Sequence, residues 1–231
     1  MPRLTPTSPP ASRARVVVRR LTAAYPDAVI SLHYEDAWQL LVAVILSAQC
    51  TDARVNEVTP KLFARFPTPA SLLESTQEEL EELIRPTGFF RNKSRSIRGA
   101  AEYLLMQHDG KVPRTTRELV KVPGAGRKTA AVVLGEAYGV AEGIAVDTHC
   151  ARLSLRLGLT DTTDPIKAER QLMAVVPRKH WINWTHLMIA HGRAICRARV
   201  PQCAACVLLD ICPEGSARMA AVRSAPGAKR S

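Results

Sequence analysis

The sequence predicts an all-α protein, and three observations support this fold class. Apolar residues recur at helical spacing along most of the chain, helix-capping sequences precede several of these segments, and strand-like segments are scarce. The β-branched stretch ARVVVRR is isolated from any second strand with which it could pair. We therefore expect roughly ten helices and no sheet.

The two ends of the chain have the composition of disordered segments. Residues 1–13 are rich in Pro and Ser, and residues 216–231 form a basic tail. The N-terminal region contains no apolar stretch long enough for a signal peptide, and no segment approaches the length of a membrane span. We expect a cytoplasmic protein, associated with the nucleoid if it is bacterial, with no membrane partner.

Capping sequences predict where three of the helices begin. In STQEELEELI, Ser75 and Glu78 form a candidate capping box ahead of an apolar face. In TTRELVKV, Thr115 and Glu118 repeat the same arrangement. Asp164 is a candidate N-cap, because a proline occupies the first helical position after it.

The charge balance points to a polyanionic partner. The chain has 231 residues, of which 46% are hydrophobic, so it can bury one large core or two smaller ones. Lys and Arg number 32 against 21 acidic residues, which gives a formal net charge of +11. Because no helix is basic on one face and strongly apolar on the other, DNA or RNA is favoured over a membrane surface.

Residues 121–130, KVPGAGRKTA, place two glycines and two basic residues between apolar segments. A P-loop is excluded because Arg127, not glycine, precedes Lys128, and a dinucleotide-binding loop is excluded because the third glycine is missing. A helix, a tight turn at Gly124 and Gly126, and a second helix remain, with amides able to hold one phosphate of a nucleic-acid backbone. The alternative of a simple glycine turn between packed helices stays open here.

Four cysteines follow the spacing C-x6-C-x2-C-x5-C near the end of the chain: Cys196, Cys203, Cys206 and Cys212. Thiols inside the cell stay reduced, so ligation is favoured over disulfide formation. Zinc and a cubane iron–sulfur cluster both accept four thiolates, and the spacing alone does not distinguish them. Cys50 and Cys150 lie away from this group, and we expect them to pack in the core.

Asp147 precedes the helix that we expect from Thr148, which makes it an ordinary N-cap when considered alone. A functional role becomes plausible if it faces Lys128. A lysine and an aspartate at the beginnings of two helices, beside a phosphate-binding turn, would suit nucleophilic attack at a sugar carbon.

Together these motifs resemble the endonuclease III family of DNA glycosylase/AP lyases. VPGAGRKTA is similar to the helix-hairpin-helix of that family, VDTH to its catalytic aspartate motif, and the cysteine spacing to its [4Fe-4S] loop. ILSAQCTD (45–52) and IRPTGFFRNKSRSI (84–97) are similar to the DNA-facing segments of the family and occur in the expected order. The resemblance covers about residues 15–215.

The resemblance implies the helix-hairpin-helix DNA glycosylase fold, with two helical lobes and a DNA cleft between them. Residues 30–141 would form a six-helix barrel domain that ends with the helix-hairpin-helix. Residues 14–29 and 142–215 would together form a discontinuous iron–sulfur domain.

The resemblance also implies a base-excision-repair enzyme that removes oxidised pyrimidines from duplex DNA and cuts the abasic site by β-elimination. Lys128 would be the nucleophile, and Asp147 would manage its proton and stabilise positive charge on the sugar. The target nucleotide must leave the duplex, and Gln49 and Phe89 would fill the gap. The four cysteines of the C-x6-C-x2-C-x5-C motif would hold a [4Fe-4S] cluster.

Further DNA contacts are expected from Gly124, Gly126 and Arg127 in the hairpin. Arg197 and Arg199 lie between the first two cysteine ligands and could neutralise phosphates. The expected partner is double-stranded DNA with a damaged pyrimidine or an abasic site, and we expect a monomer.

The sequence departs from the family at two positions. Phe89 is aromatic where the family has an aliphatic residue, and Cys50 follows Gln49 in place of a smaller side chain, so the lesion preference stays open. Two alternatives remain: a monofunctional mismatch or adenine glycosylase of the same superfamily, and a non-catalytic DNA-binding module. Lys128 argues against the first, and the second would leave the pairing of Lys128 with Asp147 accidental.

Overall fold

The structure is a computed structural model that describes residues 4–224. These residues contain helices and no strand, so the all-α prediction is confirmed. The α-helices are α1 (Pro10–Ala24), α2 (Ala37–Leu46), α3 (Asp52–Arg65), α4 (Pro69–Leu73), α5 (Gln77–Ile84), α6 (Phe90–His108), α7 (Thr116–Leu119), α8 (Arg127–Tyr138), α9 (Thr148–Arg156), α10 (Pro165–Val175), α11 (Trp181–Ala194) and α12 (Pro213–Ser224). Short 3-10 helices occupy Arg85–Thr87, Arg178–His180, Cys203–Ala205 and Leu209–Ile211.

The N-terminal region corrects the prediction of disorder over residues 1–13. Helix α1 begins at Pro10 and continues through the β-branched stretch, and Arg13 is buried. Val17 and Val18 are buried on the same face, so packing against the core overrides the weak helix propensity of these residues. Residues 1–3 lie outside the described residues.

The C-terminal region likewise corrects the prediction of a disordered tail over residues 216–231. Residues 216–224 belong to α12, which has a proline in its first turn and a run of strong helix formers. An ion pair at i,i+4 spacing joins Glu214 to Arg218 at 2.8 Å. Residues 225–231 lie outside the described part of the chain.

Side chains that accept backbone N–H bonds begin several of the helices, as the sequence indicates. Asp164 caps α10 and Thr115 caps α7, and both predictions are confirmed. The prediction for α5 was wrong by one residue: Thr76 is the N-cap and accepts from the amide of Glu79. Ser75 is buried and instead donates its hydroxyl to the carbonyl of Leu72 at 2.6 Å.

The chain divides into two compact units. A continuous unit spans Ile30–Glu142, and a discontinuous unit combines the residues up to Val29 with those from Gly143 onward. Helix α2 is the centre of the continuous unit, because eight of its ten residues are buried. Such a helix, apolar on all sides, must be enclosed by its neighbours. Helices α3, α6 and α8 pack against it.

The discontinuous unit has its own apolar core. Helix α1 packs against α10 and α11, and α9 packs against α11. Trp184 is fully buried at the centre of this unit. The hydroxyl of Thr185 donates to the carbonyl of Ala145 at 2.6 Å, which fixes the extended segment that leads to Asp147. In the described part of the chain, no helix has the length and apolar character needed to cross a membrane.

Candidate active site and cysteine cluster

The hairpin turn between α7 and α8 requires glycine at one position. The amide of Ala125 donates to the carbonyl of Val122 at 3.0 Å, and Gly124 has a φ of +80°. A proline followed by such a glycine is the pattern of a type II turn. A Cβ on Gly124 would lie 2.9 Å from the Cβ of Ser96, so the turn closes against α6. The sequence motif therefore forms a tight turn in which only glycine fits.

Helix α8 begins with uncapped amides beside exposed basic side chains. Gly126 is the N-cap and supplies no side-chain hydrogen bond, and Arg127 and Lys128 follow as the first two helical residues. The first turn of any α-helix has amides without intrahelical acceptors, and the helix dipole adds positive potential there. Because Lys128 is exposed, its amine can reach a molecule that binds at this turn.

Asp147 is the N-cap of α9, as the sequence indicates. Its Oδ1 accepts from the amide of Cys150 at 2.7 Å, and the residue is half-buried. The cap fixes the direction of the carboxylate and leaves Oδ2 outside the cap interaction. Lys128 belongs to the continuous unit and Asp147 to the discontinuous one.

Gln49 and Phe89 share an unusual backbone conformation. Their φ angles are +53° and +48°, in the left-handed region that side-chain-bearing residues rarely adopt. Both side chains are exposed, and Phe89 is 62% exposed, so its ring does not pack under the turn. Such strain is most often found at functional sites.

Cys50 and Cys150 pack as the sequence indicates. Cys50 is half-buried against the core of the continuous unit, and Cys150 is fully buried in α9. Burial raises the pKa of the Cys150 thiol to about 12, so this group is an inert part of the core.

Lys93, which none of the sequence motifs includes as a site residue, supports the Phe89 turn. Its amine is buried and donates to the carbonyl of Thr87 at 2.8 Å. Burial lowers the pKa of Lys93, while the nearby Cys50 thiol opposes this shift. The signal was present in the sequence, because Lys93 lies four residues before Ile97 on the buried face of α6.

All four cysteines of the predicted ligand set line one cavity in the discontinuous unit. Cys196 follows the end of α11, and the others lie on or beside the two 3-10 helices that precede α12. Each is a free, half-buried thiol. Within residues 4–224, no group of three or more His, Cys, Asp or Glu residues has the arrangement of a single-ion site.

Hydrogen-bond donors point at three of the four sulfurs. The amide of Leu208 donates to Cys206 Sγ at 3.4 Å, and the amide of Gly215 donates to Cys212 Sγ at 3.3 Å. Arg156 donates to Cys196 Sγ at 3.4 Å. Burial first, and then the three neighbouring cysteines, raise the pKa of Cys206 to about 11, while the amide of Leu208 opposes the shift. The sulfurs therefore lie close together and would need a cation to become thiolates.

Arg156 also determines the shape of the loop that follows the first cysteine. Its guanidinium donates to the carbonyls of Arg197 at 2.9 Å and Ala198 at 2.7 Å. The side chains of Arg197 and Arg199 are exposed on this loop. The two side chains thus face solvent, while Arg156 fixes the backbone beneath them.

Arg13 anchors the opposite side of the cysteine region. It donates to the carbonyls of Leu157, of Gly158 at 2.8 Å and of Ile211 at 3.4 Å, and to that of Ser8 at 2.8 Å. Burial lowers the pKa of Arg13. The side chain therefore connects α1 to the end of α9 and to the residue before Cys212.

His191 is the remaining buried group in contact with the cysteine cluster. Its Nε2 lies 3.3 Å from Cys206 Sγ, and its Nδ1 lies 3.0 Å from the Tyr25 hydroxyl. Burial lowers the pKa of His191 to about 4, so the imidazole is neutral at neutral pH. No sequence motif marks His191, because Tyr25 lies 166 residues away along the chain and Cys206 lies 15 residues away.

A family model and several curated relatives resemble this chain. The model of the HhH-GPD superfamily base excision DNA repair protein matches residues 42–178. Endonuclease III of Synechocystis sp. is 51% identical over 205 residues, which cover 89% of this chain and 94% of that protein. The Bacillus subtilis protein of the same name is 44% identical over 195 residues, covering 84% and 89%. The Escherichia coli K12 protein is 38% identical over 196 residues, covering 85% and 92%.

Solved structures show the same similarity. A non-covalent Endonuclease III–DNA complex superimposes with a TM-score of 0.83 and 43% identity, covering 91% of this chain and 98% of that one. A trapped Endonuclease III–DNA covalent intermediate gives a TM-score of 0.83 and 43% identity, covering 90% and 98%. A thermostable thymine-DNA glycosylase, at 19% identity and a TM-score of 0.81 over 89% and 98%, shares the fold.

Proposed function

Because this chain belongs to the endonuclease III family of base excision DNA repair proteins, we propose that Lys128 and Asp147 carry out its chemistry. The reaction is removal of an oxidised pyrimidine from duplex DNA, followed by cutting of the abasic site through β-elimination. The observation that carries the assignment is the exposed Lys128 in the first turn of α8, directly after a glycine turn.

The chemistry begins with the free amine of Lys128. Its nitrogen forms a bond to the deoxyribose C1′ as the glycosidic bond breaks, and the base leaves with the electron pair of that bond. Loss of a proton from the nitrogen and opening of the sugar ring give a Schiff base. Removal of a C2′ proton then expels the 3′ phosphate and cuts the strand.

In this scheme Asp147 takes up the proton that Lys128 loses. Its Oδ1 is held by the amide of Cys150, so Oδ2 is the atom that would accept the proton from Lys128. A carboxylate also stabilises the positive charge that develops on the sugar as the base departs.

DNA would be held by backbone amides and exposed side chains of the continuous unit. The turn at Gly124 and Gly126, with Arg127, would bind a phosphate at the beginning of α8. Gln49 and Phe89 would enter the space that the flipped nucleotide leaves, because their left-handed backbone directs both side chains outward. Duplex DNA with a damaged pyrimidine or an abasic site is thus the proposed substrate. The protein would act on this DNA as a monomer in the cytoplasm, where the DNA of a bacterium lies.

Cys196, Cys203, Cys206 and Cys212 are proposed to hold a [4Fe-4S] cluster. The residues fit this group: four thiols surround one cavity, and N–H donors already point at three of the sulfurs. When bound, the cluster would fix the loop that carries Arg197 and Arg199 against DNA phosphates. We expect purified protein to contain four irons and acid-labile sulfide, whereas stoichiometric zinc after anaerobic purification would contradict the assignment.

Borohydride trapping tests the proposed nucleophile. Reduction during turnover should link wild-type protein covalently to damaged duplex through Lys128, as located by mass spectrometry. Lys128→Gln should abolish base release, strand cutting and trapping, and binding should stay within about a few-fold because one charge is a small part of the affinity. Asp147→Asn should slow the chemistry strongly and preserve binding.

Lys121→Gln is the matched control, because Lys121 is an exposed lysine near the same turn. This variant should cut and crosslink like the wild type. A crosslink on another lysine, or cutting without a crosslink, would overturn the assignment of Lys128. Base release without strand cutting would favour the monofunctional alternative, and binding without either reaction would favour a DNA-binding module.

A further inference from the structure

A chain of two hydrogen bonds leads from Tyr25 to one of the cysteine ligands. The Tyr25 hydroxyl lies 3.0 Å from Nδ1 of His191, and Nε2 of His191 lies 3.3 Å from Cys206 Sγ. The imidazole is 2% exposed, and Tyr25 is half-buried at the end of α1. The catalytic scheme uses neither residue, so this buried polar arrangement needs another explanation.

Ligation of Cys206 fixes the direction of both hydrogen bonds. A thiolate can only accept, so Nε2 of His191 must carry the hydrogen and donate it to the sulfur. In a neutral imidazole the other nitrogen is then an acceptor, so the Tyr25 hydroxyl donates to Nδ1. Each bond polarises the next, because donation to Nδ1 makes the Nε2 hydrogen a stronger donor.

We propose that Tyr25 and His191 are positioning residues that raise the reduction potential of the cluster through Cys206. This inference rests on the proposed [4Fe-4S] cluster. Donors aimed at a ligand sulfur withdraw negative charge from it and stabilise the reduced cluster more than the oxidised one. The pair would therefore make the cluster more resistant to one-electron oxidation.

The His191 contact differs from the other contacts to the sulfurs. Leu208 and Gly215 donate through backbone amides, which no substitution of their own side chains removes. Arg156 donates to Cys196 through a guanidinium that stays charged, so its donor strength does not depend on a tautomer. His191 donates through its imidazole, and the hydrogen bond from Tyr25 controls how strong a donor that imidazole is. The backbone carbonyl of His191 also accepts from the amide of Cys196 at 2.8 Å, so this residue touches two ligand residues.

Voltammetry and redox titration of the full-length, iron-loaded protein test the pair. Tyr25→Phe keeps the ring and removes the hydroxyl, and His191→Leu removes the donor to sulfur. Both should lower the potential, with a larger shift for His191→Leu, on the order of a tenfold change in the one-electron equilibrium or about 59 mV. His191→Gln, which can still donate an N–H, should recover part of the shift.

Tyr138→Phe is the matched control. Tyr138 donates its hydroxyl to the carbonyl of Val112 at 2.8 Å within the continuous unit, so this variant loses a comparable bond elsewhere. It should leave the potential unchanged. If Tyr25→Phe and Tyr138→Phe have the same reduction potential, the proposed role of Tyr25 and His191 is wrong. This test holds even if His191→Leu fails to fold.

The failures of the two proposals are distinguishable. Wild-type protein that contains neither iron nor sulfide would contradict both the proposed cluster and the inference that rests on it. If wild-type protein carries the cluster and the Tyr25→Phe variant has the same reduction potential, only the inference about Tyr25 and His191 is contradicted. Iron content and visible absorbance are measured for each variant, so that a shift in reduction potential is distinguished from loss of the cluster.

Discussion

The exposed segments of the two units are held in place by different means. In the discontinuous unit, arginine side chains donate to loop carbonyls: Arg13 and Arg156 hold the two sides of the cysteine region, and Arg20 donates to the carbonyl of Val207 at 2.8 Å. In the continuous unit, the turns at Gln49 and Phe89 keep strained backbone over an apolar core, and the buried Lys93 donates to the turn that carries Phe89. The cysteine region is thus held by several arginine donors, whereas the two turns keep local strain, and a single buried lysine supports one of them.

Removal of Arg13 should cause the largest loss of stability. Arg13→Met leaves several carbonyls without their donor, and each hydrogen bond from a charged group contributes about 1.5–3 kcal/mol. We expect the free energy of unfolding to fall by roughly 3 kcal/mol or more, with faster loss of iron from the cysteine region. Chemical denaturation and iron release measure the two effects.

Arg15→Met is the control for this loss, because Arg15 is exposed on the same helix. It should change the unfolding free energy by less than about 0.5 kcal/mol. Equal losses in the two variants would show that charge, and not the bonds to carbonyls, stabilises the cysteine region.

The hairpin offers a pair of glycines that separates stability from binding. Gly124→Ala forces a Cβ into a left-handed residue and to 2.9 Å from Ser96, so we expect a loss of roughly 1–3 kcal/mol in unfolding free energy. Gly126→Ala meets no atom within 4 Å and should cost less than about 1 kcal/mol. Its methyl group would nevertheless stand where the phosphate approaches, so DNA affinity should fall.

Thermal unfolding and DNA titration of both variants provide the measurements. Unchanged affinity in Gly126→Ala, together with unchanged stability, would mean that the turn is only a connection between two packed helices.

The rigid cysteine loop should contribute to DNA binding through two charges. Arg197→Ala with Arg199→Ala should reduce the slope of log affinity against log salt by about one to two, because each phosphate contact contributes about 0.9. The unfolding free energy should not change, since both side chains are exposed. The double variant Arg170→Ala with Arg223→Ala removes the same charge from exposed positions of the same unit and should preserve the slope. Identical slopes in the two double variants would limit the loop to a structural role.

The smallest expected effect is a gain in stability. Gln49→Gly and Phe89→Gly should each raise the unfolding free energy by up to about 1 kcal/mol, because glycine adopts the left-handed conformation without strain. Both should also lower turnover on paired lesions far more than on an unpaired abasic site. Asp109→Gly, at a φ of +49° after α6, should stabilise without changing turnover. Destabilisation by Phe89→Gly would show that its left-handed backbone holds no strain that glycine relieves.

Local chemistry explains which helix ends the sequence predicts. Thr115, Asp147 and Asp164 cap helices because each side chain bonds to a backbone amide three residues ahead. The sequence around Ser75 contains two overlapping capping patterns, and the choice between them depends on burial of Ser75, which no local pattern reveals.

Long-range contacts explain what the sequence does not predict. Three of the four hydrogen bonds of Arg13 span 144 to 198 residues, and the bond between His191 and Tyr25 spans 166 residues, so no short window of sequence contains both partners. The helix through ARVVVRR arises in the same way, because its valines pack on a core formed largely by residues beyond 143. Residue type alone also did not distinguish buried Lys93 from the many solvated basic residues.

The long reach of Arg13 has a consequence for synthesis of the chain on the ribosome. The continuous unit can complete its packing once residue 142 has emerged, with every core partner present. Helix α1 emerges first, but Arg13 cannot donate to the carbonyls of Gly158 and Ile211 until those residues have been synthesised. Until then its apolar face stays open to chaperones and to other nascent chains, so the first helix to be made is among the last to be secured.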